Sequence, residues 1–239
     1  MNDIKTVVAN NSENNSIAKR VIFLVGRDNW QKDDQLNHVL LKNLKKTNCK
    51  IIWEDPAGDI LYKLRRLEDN LKWIPRPVRE INLRLVQFFY ALTHWNYFSY
   101  LSGRKTGSIE LRCQKLKKSI HTLGDGNEII IISRSSGARI SSMIADDLKV
   151  KHIICLGYPF KNPEKGIEAE RYLHLKNLKT PMLIIQGTSD EYGSYEDVLR
   201  EYSFSPAIEL FPVEANHEFK INTNEWHRIL SKIGKIINQ

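Results

Sequence analysis

The sequence predicts an α/β fold, a mostly parallel sheet flanked by helices. Three observations carry this expectation. Ile129 to Ile132 are four consecutive isoleucines, the pattern of a strand buried on both faces. Shorter β-branched runs recur at Val21–Val25, Lys50–Trp53, His152–Leu156, Pro181–Gly187 and Ala207–Pro212, and segments of helical periodicity separate them. Finally, 239 residues, 41% hydrophobic and 27% charged, are enough for a single domain over 1–239 and too few for two.

Taken in order, the first twenty residues are rich in Asn and Ser and lack the apolar core of a secretory signal. No stretch reaches the roughly 18 uninterrupted apolar residues of a spanning helix, so a soluble, cytoplasmic protein is expected. Ile4 to Val8 reads as a short leading strand and Asn10 to Ser16 as a flexible segment. Cys49, Cys113 and Cys155 are odd in number and widely spaced, which indicates neither a disulfide framework nor a zinc site. After the first strand, a helix over about 32–46 places Leu36, Val39, Leu40 and Leu44 on one face, with Asp33 and Asp34 near the positive end of its dipole.

Residues 57–105 read as a helical insertion, a candidate cap. Asp59 to Asn70 is one helix, Trp73 to Pro77 breaks it, and Val78 to Leu92 is a second, with Ile81, Leu85, Phe88 and Leu92 along one face. Packing onto the sheet is the simplest use of that face. A lid over the site, or peripheral contact with a membrane surface through the accompanying Arg and Lys residues, are the other two. Ser108 to His121 is a further helix with a solvated face at Arg112, Lys115, Lys117 and Lys118. The helix after the isoleucine strand turns Ile140, Met143 and Ile144 inward, and a last one, over 224–237, buries Trp226, Ile229, Leu230, Ile233 and Ile236.

The isoleucine run breaks into Ser133-Arg134-Ser135-Ser136-Gly137-Ala138, five small side chains in six positions. A nucleophile elbow needs such residues, because strand and helix must approach closely around a strained central serine. The usual spelling is G-x-S-x-G. Here it is S-x-S-x-G centred on Ser135, which alone also fits an ordinary Ser-rich turn. An elbow requires an acid and then a histidine beyond later strands. Asp190 follows the strand ending at Gly187, and His217 follows the one ending near Pro212.

Ser133 to Arg139, Gly157-Tyr158-Pro159 with Pro163, Arg171 with His174-Leu175, Pro181 through Gly187, Asp190 with Gly193, and Asn216-His217 resemble the α/β-hydrolase superfamily. Within it they are most similar to the dienelactone-hydrolase-like group, in the branch holding a subunit of the NSL histone-acetyltransferase complex and its testis-expressed relatives. The resemblance covers roughly residues 110–219, and more loosely 20–55. It implies Ser135 as nucleophile, Asp190 as acid and His217 as base. It also implies an oxyanion hole from the backbone N–H of Ser136 and the Gly26-Arg27 loop, where the family often has a His-Gly sequence and this chain has Val25-Gly26-Arg27.

A serine hydroxyl needs a base to take its proton, and the base needs a carboxylate to fix its tautomer. These residues point to cleavage of a small-molecule carboxylic ester or thioester with no metal or organic cofactor. A triad-bearing binding or scaffold protein is the alternative. Tyr158 and Phe160, in the long loop from Gly157 to Arg171, and Trp30 are the candidate substrate-binding side chains. His174 is expected as a hydrogen-bonded structural histidine. The net charge of +8 is spread over several helices without a recognised binding module, so no nucleic-acid partner is expected.

Overall fold

The computed structural model describes residues 20–27, 33–71, 73–95, 97–98, 100–101, 108–124 and 126–239. The expected leading strand at Ile4–Val8, the segment Asn10–Ser16 and Trp30 lie outside the described residues.

The chain runs β1 (Arg20–Val25), α1 (Asp34–Leu44), β2 (Lys50–Trp53), α2 (Gly58–Asn70), α3 (Arg76–Thr93), α4 (Ile109–His121), β3 (Glu128–Arg134), α5 (Ser136–Ile144) and β4 (Val150–Leu156). A small hairpin of β5 (Lys161–Asn162) and β6 (Gly166–Ile167) follows, then β7 (Met182–Gly187), α6 (Tyr195–Glu201), β8 (Ile208–Val213) and α7 (Thr223–Ile237). The six long strands form one sheet in the order β2-β1-β3-β4-β7-β8, every neighbouring pair parallel.

Successive side chains of a strand point to opposite faces of its sheet, which explains the isoleucine run. Ile130 and Ile132 join Ile22, Leu24, Ile154 and Leu183 on one face, while Ile129 and Ile131 join Phe23, Val25, Ile153 and Ile184 on the other. Both faces must therefore be covered. Leucines of α1, with residues of α2, α3 and α7, close the first; α4, α5 and α6 close the second. The apolar stripe of α7 is oriented by a cap in which the Asn222 side chain accepts from Glu225 N–H at 2.9 Å.

Three expectations need correction. Arg112 of α4 is not on a solvated face: it is buried, paired with Glu54 at 3.2 Å and donating to the Gly26 carbonyl at 3.3 Å. The carbonyl at the end of β1 and the Glu54 carboxylate give it polar partners that helical periodicity does not reveal. Met143 is 40% exposed, at the margin of the inward face of α5 that Ile140 and Ile144 occupy. The third concerns α3. It packs on α2 and joins the first core through Leu83 and Ala91, with Asn82 donating to Glu68 and Tyr90 to the Pro56 carbonyl. The face carrying Ile81, Leu85, Phe88 and Leu92 points outward instead. Amphipathic spacing shows that a helix has an apolar stripe, but α3 has two, and only packing decides which meets the core.

Candidate active site

The end of β3 and the start of α5 leave Ser135 alone at the turn. Its backbone has φ 51° and ψ −121°, a region that residues with a side chain seldom enter. Backbone bonds hold it there: Ser135 N–H donates to the Gly157 carbonyl at 3.2 Å, and Ala138 and Arg139 N–H donate to the Ser135 carbonyl at 2.8 and 3.4 Å. The small residues around it have different reasons. A Cβ on Gly137 would stand 2.6 Å from the carbonyl oxygens of both Val25 and Gly26, so only glycine lets α5 come this close to β1. Ser133 does fit where a glycine is usual, because its hydroxyl donates to the Ile154 carbonyl of β4 at 3.2 Å.

The structure brings Ser135, His217 and Asp190 together, each just beyond the carboxyl end of its own strand. Ser135 Oγ lies 2.9 Å from His217 Nε2, and His217 Nδ1 lies 3.0 and 2.9 Å from the two Asp190 oxygens. All three are buried. Asp190 is itself fixed, since Oδ1 accepts from Tyr192 N–H at 2.8 Å and Oδ2 accepts from Gln186 Nε2 at 3.2 Å. The Tyr192 ring lies against the imidazole with 4.1 Å between centroids. With the carboxylate on Nδ1, the proton belongs there and Nε2 is left as an acceptor for the serine hydroxyl.

Gln186 is a residue whose role the sequence reading missed. It is completely buried at the end of β7, accepts from Tyr158 N–H at 2.8 Å, and donates to the Gly193 carbonyl at 2.7 Å besides its bond to Asp190. One carboxamide thus joins the acid to the loops on either side. Its signal is a lone amide closing an otherwise apolar strand.

The loop carrying His217 is gripped by charges from the β1–α1 connection and the end of β3, which meet Glu218 of the loop itself. Arg134, buried inside the elbow, donates to the carbonyls of Leu156, at 3.0 Å, and of His217, and its guanidinium lies over the Phe219 ring. Asp33 stands 3.6 Å from Arg134 and 2.8 Å from Arg27, and Arg27 holds both oxygens of Glu218 at 2.8 Å. Asp33, at the start of α1 as the sequence suggests, is therefore also a buried counter-ion. Burial raises its pKa against the opposing pull of Arg134 and Arg27, and burial lowers that of Arg134. The hydrogen bonds from Arg27 bring Glu218 down to about 2.

Gly26 and Ser136, two of the expected oxyanion donors, meet at one corner, where Arg112 reaches the Gly26 carbonyl at 3.3 Å and the Ser136 hydroxyl at 3.5 Å. The Arg27 side chain turns away to Asp33 and Glu218. Tyr158 and Phe160 do not line a pocket, which corrects that expectation: both are completely buried in the second core. The left-handed turn at Gly157 (φ 70°) and the bond from Tyr158 N–H to Gln186 direct Tyr158 inward, where its hydroxyl donates to the Arg171 carbonyl at 2.7 Å.

A second serine–histidine contact has a different character. Ser142 Oγ lies 2.8 Å from His174 Nε2 but donates its own proton to the Arg139 carbonyl at 2.9 Å, so here the imidazole donates and the serine is not activated. Burial, helped by the Arg139 charge, lowers the His174 pKa to about 4. The unfolded chain then takes up a proton on this residue near 6.5 and the folded one does not. Its contribution to stability is full above that value and is lost as pH falls toward about 4. Thermal unfolding should show wild type more stable than His174→Gln at about pH 7.5, with the gap narrowing toward about pH 4.5.

A parallel sheet covered on both faces, with a serine at a strained strand-to-helix turn and an acid and a histidine beyond later strands, defines the α/β-hydrolase architecture. The sequence matches the family described as alpha/beta hydrolase domain over residues 79–238, and the chain belongs to that family. A hydrolase-superfamily protein from Xanthomonas campestris superposes with a TM-score of 0.54 at 12% identity, over 91% of this chain and 99% of that one. The esterase Pf2001 from Pyrococcus furiosus gives 0.51 at 11%, over 92% and 83%. An alpha-beta serine hydrolase homologue from Coxiella burnetii is 22% identical with a TM-score of 0.39, over 54% of this chain, which spans 58% of that protein's length. Likeness at these identities shows the fold. No curated protein matches the sequence.

Proposed function

We propose that the protein is a serine hydrolase that cleaves a carboxylic ester, or a thioester, through an acyl-Ser135 intermediate. The observation that carries the reading is the 2.9 Å contact between Ser135 Oγ and His217 Nε2, with Asp190 on the opposite ring nitrogen. His217 takes the hydroxyl proton as Oγ attacks the carbonyl carbon, and the resulting imidazolium is stabilised by Asp190. The same proton passes to the departing alcohol or thiol. Water, deprotonated by His217 in turn, then releases the acid and restores the serine.

Negative charge develops on the carbonyl oxygen, and the backbone N–H of Ser136 with the Gly26-Arg27 corner is the assigned place for it. Main-chain donors suit that work because they need no reorganisation during reaction. Trp30 is retained as a candidate wall for the substrate. Residues 57–105 are read as an insertion within one domain; the motif residues support membership of the dienelactone-hydrolase-like group, in the branch of the NSL-complex subunit, and a cytoplasmic setting and a small-molecule ester substrate belong to the same proposal.

Reaction with a fluorophosphonate, followed by mass mapping of the adduct, tests the reading. Label on Ser135, absent from folded Ser135→Ala, is the expected result. A folded wild type that takes no label has no activated nucleophile, and the chain is then a binding or scaffold protein.

A further inference from the structure

We propose that the outward face of α3 is a docking surface for an anionic lipid bilayer, on which the protein sits peripherally. Val78, Ile81, Leu85, Phe88 and Leu92 follow one another at alternating spacings of three and four, which places them on one stripe, and Phe89 lies beside it. All six are exposed, from 43% at Val78 to 62% at Phe89. The opposite side of the helix, at Leu83 and Ala91, is the one packed in the core. Singly scattered apolar side chains on a surface are ordinary, whereas a continuous stripe of this kind marks a contact surface. Trp73 before the helix and Trp95 after it are 79% and 86% exposed, and tryptophan favours the boundary between hydrocarbon and water.

Charge selects the occupant. Between residues 57 and 105 basic residues outnumber acidic ones by about two to one, and this segment supplies more than half of the net +8 of the chain. Exposed Arg84 borders the stripe, one turn from both Ile81 and Phe88. A three-four seam also suits a second helix, but a second copy brings the same positive surplus and sets like charges face to face. An anionic surface is complementary to it. Insertion is shallow, because no helix among the described residues is long and apolar enough to cross a membrane. The surface does not depend on the catalytic reading, and its test is separate from that of Ser135.

The experiment is flotation of the full chain with vesicles of phosphatidylcholine alone and of phosphatidylcholine with phosphatidylglycerol, beside analytical ultracentrifugation without lipid. The expected result is co-flotation with the anionic vesicles, weaker in high salt and at least roughly tenfold weaker for Leu85→Ser/Phe88→Ser. These positions are exposed, so circular dichroism of the variant should match wild type. Two outcomes overturn the proposal: wild type that floats no better than the variant, or a lipid-free dimer that the same substitutions convert to monomer, which assigns the stripe to a second copy of the chain.

Discussion

Asp190→Asn is expected to lower kcat on a p-nitrophenyl ester by about 10⁴ with the fold intact, as a wrong histidine tautomer does in a triad. The reason is the proton arrangement around the carboxylate. Oδ1 accepts from Tyr192 N–H, Oδ2 accepts from Gln186 Nε2, and both face the ring nitrogen His217 Nδ1. Every neighbour is a donor, and a carboxylate satisfies all of them. An amide retains one acceptor. With its oxygen on Tyr192 N–H, its NH₂ faces both Gln186 and His217, and the imidazole can answer only by accepting at Nδ1. Its proton then moves to Nε2, where it opposes the Ser135 hydroxyl. Steady-state kinetics beside circular dichroism checks this, and a fall of less than about tenfold removes Asp190 from the reaction.

The second large effect is on stability. Arg134→Met is expected to cost about 3–5 kcal/mol in urea unfolding, the range for removing one partner of a buried ion pair. The side chain is 4% exposed, and its loss leaves two buried carbonyls without this donor and Asp33 with Arg27 as its remaining cation partner among the described residues. For a domain stabilised by roughly 5–15 kcal/mol this is a large share. A further change of Asp33 to Asn should cost less in the Arg134→Met background than in wild type, because it then removes a carboxylate that has lost a counter-ion. Equal costs in the two backgrounds make the pair energetically independent.

The parts of this molecule legible in its sequence are those governed by local periodicity and order. The isoleucine run implies an inner strand because a strand alternates sides and Ile129 to Ile132 are apolar on both. The positions of Ser135, Asp190 and His217 after successive strands were visible because parallel strands all end at one edge of their sheet. The Arg27, Asp33, Arg134 and Glu218 network was not visible, since its members meet only after folding brings together the ends of β1, β3 and β8. Tyr158 and Phe160 misled for a related reason: aromatic residues beyond a strand end resemble a pocket wall until a glycine turn and a buried glutamine send them inward. On α3 the period was right and its direction was undetermined, because a helix apolar on two sides has no intrinsic inside.

The placement of His217 just beyond β8 has a consequence for the order of events at the ribosome. Among the described residues β8 is the edge of the sheet and pairs only with β7, and His217 is synthesised 82 residues after Ser135. At roughly 5–20 residues per second this is an interval of several seconds in which the growing chain carries the serine without its partner. On the proposed mechanism the hydroxyl meets its base only when β8 joins β7. On that mechanism, completion of the sheet is also the moment at which Ser135 gains its base.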